Sequence, residues 1–283
     1  RVEVDDTTVV QRYSLMVMYF GQGGENWSYR DVRWGEGVSE CDWDYTSCLD
    51  DDVIKMEMSN INMGGTVVKE LAELSNLAYL DLSRNALEDG EFPSVLTTIP
   101  SLKELYLEST GMKGALPDSI GDLTLLEGLA LDTNDLLGSL PTTMKQLTSM
   151  KSFYMSATKV KGNIMDFALG WPLLENLDVQ NNRLSGSIPT DVATILTNLV
   201  SLKLHTNEMS GTLPSELGEL TLMTQFAFGG GRRHQQGSIP TEFGRWTNLE
   251  ILSIHGSRLT GTIPTELGNS VSLVGVNLQS NEL

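Results

Sequence analysis

From Val53 to the last residue, apolar positions recur in one phrase: an apolar residue, two others, a second, one other, a third. Val53-Met56-Met58 opens the series. It continues as Leu77-Leu80-Leu82, Leu102-Leu105-Leu107, Leu126-Leu129-Leu131, Met150-Phe153-Met155 and Leu174-Leu177-Val179. Leu199-Leu202-Leu204, Met223-Phe226-Phe228, Leu249-Leu252-Ile254 and Leu273-Val276-Leu278 complete ten units. Their last members lie 24, 25, 24, 24, 24, 25, 24, 26 and 24 residues apart. The closing alternation has period two, which predicts a short strand with both apolar side chains on one face. Each unit then adds an Asn-type position, an apolar residue, a Gly and an apolar-Pro pair, as in Asn182, Leu184, Gly186 and Ile188-Pro189. The Gly permits a tight corner, and the Pro predicts an extended return limb that lacks a donor. Several units end in a helix-like Leu-Gly stretch such as Leu217-Gly218.

No unit of this length can bury its own leucines, so the units must stack and their strands must join in one parallel sheet. Ten rungs at roughly 4.8 Å each predict a concave sheet about 45 Å long. The Asn column (Asn85, Asn134, Asn182, Asn207 and Asn281) is predicted to hold the fold by bonding buried loop backbone. Thr110, Thr158 and Ser257 can do so only in part, while Ile61 and Gly231 cannot. The domain reading is an N-terminal capping segment over residues 1–52 and about ten repeats over 53–283, the last incomplete. That break at Asn281-Glu282-Leu283 leads to the expectation that the natural protein continues, with further repeats, a cap and a membrane anchor beyond this stretch.

Composition adds limits. The chain has 283 residues, 40% of them apolar and 20% charged, with a formal net charge of −18. That balance excludes a disordered polyelectrolyte, and it argues against nucleic acid or anionic membrane as bulk partners. The only cysteines, Cys41 and Cys48, lie close together. They read either as one disulfide in an oxidising compartment or as two reduced thiols. No apolar run approaches the ~20 residues that span a bilayer.

The phrase Leu-x-Gly-x-Ile/Leu-Pro resembles the plant-specific class of leucine-rich repeat found in receptor-kinase ectodomains and polygalacturonase-inhibiting proteins. The preceding segment is similar to that family's N-terminal cap. An amphipathic helix begins at Gln11-Arg12-Tyr13 and runs to Phe20; Gly23-Gly24, Trp27 and Trp34 follow, then Cys41-Asp42-Trp43 and Cys48. The wording also resembles secreted repeat proteins of diatoms and related algae. The resemblance covers residues 11–283. It implies an α/β solenoid, a right-handed leucine-rich-repeat superhelix with a parallel concave β-sheet and a helical cap closed by a Cys41–Cys48 disulfide. It also implies an extracellular or cell-surface location. In a secreted chain, Asn26-Trp27-Ser28 is a candidate glycosylation site at Asn26.

Residues flanking the strand leucines should face outward on the concave side. In the first half they include Glu57, Asp81, Glu104, Glu108, Asp132 and Asp178, with Tyr79, Tyr106 and Tyr154 among them. From Lys203 onward the same columns hold no carboxylate and carry Lys203, His205, Gly229, Gly230, Ser253 and His255. The unit after Phe228 is longer than its neighbours, and Arg233 stands where a leucine is usual. Three glycines precede it, so that loop is expected to bulge outward. Lys203, His205, His255 and the loop Arg232, Arg233 and His234 form one candidate ligand site, favouring an anionic or polar group. The tyrosine stripe is a second candidate, since tyrosine concentrates at energetic centres of interfaces.

Catalysis is not expected. Paired carboxylates on an open face are poorly desolvated, and no phosphate-cradling loop, His-Glu-x-x-His or Cys-x-x-Cys is present. No cofactor is predicted. Two imidazoles, His205 and His255, could converge across Gly229, but no third ligand is in place and no metal site is predicted. An ice-contacting role would need a flat threonine ladder that the concave columns lack. What remains is a binder. Either it is the ectodomain of a receptor-like or cell-surface protein that recognises a protein, peptide or glycan, or it is a freely secreted inhibitor or adhesion protein.

Overall fold

The computed structural model describes residues 7–28, 34–35, 37–88, 90–231 and 236–283. Ten short parallel strands form the concave sheet, from Asp52–Glu57 through Tyr79–Asp81, Glu104–Tyr106, Gly128–Ala130 and Ser152–Tyr154 to Asn176–Asp178, Ser201–Lys203, Gln225–Gly229, Ile251–His255 and Gly275–Asn277. The register is in phase throughout: Leu80 pairs with Leu105, Leu105 with Leu129, and Leu177 with Leu202. The leucine phrase is therefore the core, and its inward residues are buried from Val53 to Ile254. An α/β solenoid was the expectation, and this is one.

The back of each unit departs from an extended limb. The prolines Pro93, Pro117, Pro141, Pro214, Pro240 and Pro264 cap one-turn 3-10 helices, among them Ser94–Thr98, Asp118–Asp122 and Ser215–Glu219. The Pro carbonyl accepts the first hydrogen bond of the turn, as in Leu96 N–H to Pro93 at 2.9 Å. A fixed φ suits the start of such a turn as well as it suits an extended limb. A second, five-stranded sheet runs along one flank, ordered Lys113–Gly114, Asp135–Ser139, Lys159–Asn163, Arg183–Gly186 and Glu208–Met209. Gly138, Gly162 and Gly186 take positive φ there, and a Cβ on Gly186 would lie 2.5 Å from Asn163 Oδ1.

The Asn column does what its position demands. Asn134 Oδ1 accepts from Thr110 N and Met112 N, and its Nδ2 donates to Leu107 O at 2.8 Å and Leu131 O at 2.9 Å. Asn85, Asn182, Asn207 and Asn281 reach back to the preceding unit in the same way. Left unpaired, each of these enclosed backbone groups would cost about 1–3 kcal/mol.

At the N-terminus a helix, Thr7–Gly21, lies across the open end of the first rung. Gln11 joins the two: its Oε1 accepts from Val53 N at 2.7 Å and its Nε2 donates to Asp51 O. Tyr19, Trp27, Trp34 and Trp43 pack ring on ring behind it. Cys41 and Cys48 are disulfide-bonded. Cys48 lies in a strand, Thr46–Leu49, that adds to the concave sheet antiparallel to Asp52–Glu57.

Candidate binding face

The pairing fixes three outward columns. One contains Tyr79, Glu104 and Gly128 at successive rungs; the next contains Asp81, Tyr106, Ala130, Tyr154, Asp178 and Lys203. The third lies two residues further along, where Gly229 pairs with His255 and His205 extends the register set by Lys203 and Ala227.

In the first half the tyrosines interlock with carboxylates. Tyr79 and Tyr106 touch diagonally, with centroids 5.4 Å apart, and the Tyr106 hydroxyl donates to Glu104 Oε2 at 2.8 Å. The Glu104 carboxylate lies over Gly128, where a Cβ would stand 1.8 Å from Oε2. Burial, and then Glu104, push the Tyr106 hydroxyl pKa far above the usual phenol value; burial first, then Asp81, Glu57 and Glu104, also raise Tyr79. Both phenols are therefore neutral donors. Lys55 Nζ sits 4.5 Å over the Tyr79 ring and 2.9 Å from Glu57. Tyr154 shares Tyr106's column across Ala130, so the stripe is two touching rings, a dip and a third ring. Lys55 was missed in the sequence, although it precedes Tyr79 by one rung in the same column.

The boundary between the halves is an ion pair, Lys203 Nζ to Asp178 Oδ2 at 3.6 Å. Asp178 is enclosed enough that burial, its largest influence, raises its pKa despite the Gln180 backbone N–H and Lys203. Beyond it the face is cut down to Ala227, Gly229 and Gly230, and His205 and His255 stand on either side with centroids 5.7 Å apart. His205 is lowered from the ordinary imidazole pKa by burial first, then by His255 and Lys203. The structure thus brings Lys203, His205 and His255 together. Arg232, Arg233 and His234 lie outside the described residues. Asn26 is exposed at the rim of the cap, where its carbonyl accepts from Asn62 Nδ2 at 3.2 Å. Among the described residues no three His, Cys, Asp or Glu side chains converge, and no helix is long and apolar enough to cross a membrane.

The repeat and its fold have counterparts among known proteins. The family model described as Leucine Rich Repeat matches residues 173–195 and 248–270. The chain is 30% identical over 96 residues to the LRR receptor-like serine/threonine-protein kinase GSO2 of Arabidopsis thaliana, covering 33% of this chain and 8% of that protein. It is 36% identical over 87 residues to Receptor-like protein 39 of the same plant, covering 30% and 10%. It therefore spans a tenth or less of the length of these relatives. Among solved structures, a plant peptide hormone receptor, RGFR1 in complex with RGF2, matches with a TM-score of 0.70 and 32% identity over 78% of this chain and 35% of that one. The ectodomain of GASSHO1/SCHENGEN3 from Arabidopsis thaliana, in complex with CASPARIAN STRIP INTEGRITY FACTOR 2, matches at 0.79 and 24%, over 96% and 35%. A plant ice-binding protein matches at 0.79 and 20%, over 96% and 86%. At such identities the last two likenesses concern the fold alone.

Proposed function

We infer that this chain, a leucine-rich-repeat protein of the plant receptor-like type, is an extracellular recognition domain whose concave face binds a peptide or protein. The observation that carries this reading is the division of one continuous face into a tyrosine-carboxylate half and a half with no carboxylate, joined at Asp178–Lys203. Neutral phenols such as Tyr79 and Tyr106 offer donors and flat apolar area at small conformational cost. Lys55 resting on Tyr79 and Glu57 supports reading that half as suited to a cation of the ligand. Lys203, His205 and His255 offer the opposite half for polar or anionic groups of the ligand, with Arg232, Arg233 and His234 assigned to the same site. A peptide hormone receptor and a receptor ectodomain bound to a peptide hormone ligand share this architecture, which supports a peptide here. The disulfide and the receptor-like relatives agree with a place outside the cell. A glycan on Asn26 fits that location and would stand at the cap, away from the face. Binding, not catalysis, is the activity read from so open a surface.

The test is a screen of secreted peptides and proteins against the immobilised chain, followed by variants. Tyr106→Ala and Lys203→Ala are expected to weaken a captured ligand at least about tenfold, while Lys69→Ala on the back is expected to leave it unchanged. A ligand indifferent to Tyr106→Ala, Lys203→Ala and the double variant Arg232→Ala/Arg233→Ala would overturn the reading.

A further inference from the structure

His205 and His255 occupy one column of the concave sheet, two rungs apart, with Gly229 between them. At about 4.8 Å per rung their backbones are roughly 10 Å apart, yet their ring centroids lie 5.7 Å apart with planes inclined at 62°. The rings lean toward each other over a gap that only glycine leaves open. A Cβ on Gly229 would stand 2.2 Å from the His255 carbonyl oxygen, and one on Gly230 would stand 2.7 Å from His255 Nε2.

An imidazole nitrogen binds Zn²⁺ at about 2.0–2.1 Å, so two rings sharing one such ion hold their centroids about 5–6 Å apart. The observed separation falls in that span. Each ring is also prepared as a donor. Ser253 Oγ lies 3.1 Å from His255 Nδ1 and so fixes that ring through the nitrogen nearer the backbone, leaving Nε2 beside Gly230. His205 Nδ1 is enclosed and has no hydrogen-bond partner, so the capacity of that nitrogen is unspent. Lys203, the adjacent cation, is already directed to Asp178.

We propose that His205 and His255 form a two-imidazole site for a late divalent transition-metal ion, bound through one nitrogen of each ring. Cu²⁺ is held more tightly than Ni²⁺ or Zn²⁺, following the general order for nitrogen sites, and Mg²⁺ and Ca²⁺, which seek oxygen, are not held. With only two protein ligands the ion keeps open positions for water or for a donor of an arriving molecule. It is therefore exchangeable, unlike the ion of a closed structural site. This inference does not rest on the peptide-binding reading, because the ion is bound by the chain alone.

The experiment is titration of the tag-free full chain with Cu²⁺ alone, read by calorimetry and by electron paramagnetic resonance. The expected spectrum shows coupling to at least two imidazole nitrogens, with one lost in His205→Gln and one lost in His255→Gln. Ser253→Ala keeps both rings and is expected to weaken binding about tenfold, the scale typical of a lost partner to a metal ligand. Either glutamine variant should weaken it more than that. Coupling to fewer than two nitrogens in the wild-type chain overturns the proposal even if the variants fail to fold. Equal affinity of the wild type and both glutamine variants overturns it too. Neither result bears on whether a peptide binds the face.

Discussion

Between Tyr106 and Tyr154 the outward column drops to Ala130, and between His205 and His255 it drops to Gly229. Both places are dips one rung wide between two rings. In the first, the walls are held by side chains: Tyr106 donates to Glu104, and Glu104 lies over Gly128. In the second, the floor is backbone alone, and one wall has an enclosed nitrogen with nothing bonded to it. The first dip is a finished surface suited to complementing a partner. The second is underbonded, and some of its polar capacity is left for whatever arrives.

Filling the two dips should separate them most sharply. Gly229→Ala places a methyl against the His255 carbonyl at a position with φ of +96°, and a loss of about 3–5 kcal/mol in urea unfolding is expected. Ala130→Ser, the matching addition in the tyrosine dip, puts a hydroxyl on a buried side chain and should cost less, about 1–2 kcal/mol. Equal costs would erase the distinction between a side-chain floor and a backbone floor. Replacing both Cys41 and Cys48 by Ser removes a link across seven residues and should cost about 2–3 kcal/mol. Because each unit touches only its neighbours, hydrogen exchange should quicken around Tyr79 and Tyr106 and stay unchanged around His205 and His255. Tyr106→Phe should lower stability by about 1 kcal/mol through the lost bond to Glu104, and melting curves would show it.

The smallest effect concerns the seam between the halves. Burial raises the Asp178 carboxyl, so the folded chain keeps that proton to higher pH than the unfolded one does. The folded state thus binds more protons just above the ordinary carboxylate range, and this group removes stability as pH climbs through that window. Asp178→Asn is expected to be slightly more stable than the wild type at pH 7, and the advantage should close below about pH 4. Urea midpoints at the two pH values would check this, and an advantage that grew toward low pH would contradict the assignment.

The concave half of the fold could be read from side chains because side chains build it. Leu80, Leu105 and Leu129 occupy the phase that the two-residue alternation requires, and Asn85 and Asn134 follow at the one position where an amide can serve two units. The helix-like Leu217-Gly218 stretch is the 3-10 turn Ser215–Glu219, and buried residues such as Leu96, Ile120 and Leu217 mark such turns once per unit. The flank sheet was not legible, because backbone bonds and the positive φ of residues such as Gly162 set it, and no apolar rhythm marks it. The candidate residues His205, His255, Tyr79 and Tyr106 could be placed in columns by counting. Their approach to one another could not, since it depends on how far each ring leans over a missing neighbour. Lys55 was overlooked for a related reason: its partner Tyr79 lies 24 positions further along the chain.

Every asparagine of the ladder serves the unit made before its own: Asn85 satisfies Ile61 and Met63, Asn134 satisfies Thr110 and Met112, and Asn281 satisfies Leu259. During synthesis, then, the newest turn of the coil always waits for its successor before its loop is sealed. A nascent chain grows like a zip fastener that closes one tooth behind the slider. Pausing translation after Leu204 would leave the loop around Leu184 open to solvent until Asn207 emerged.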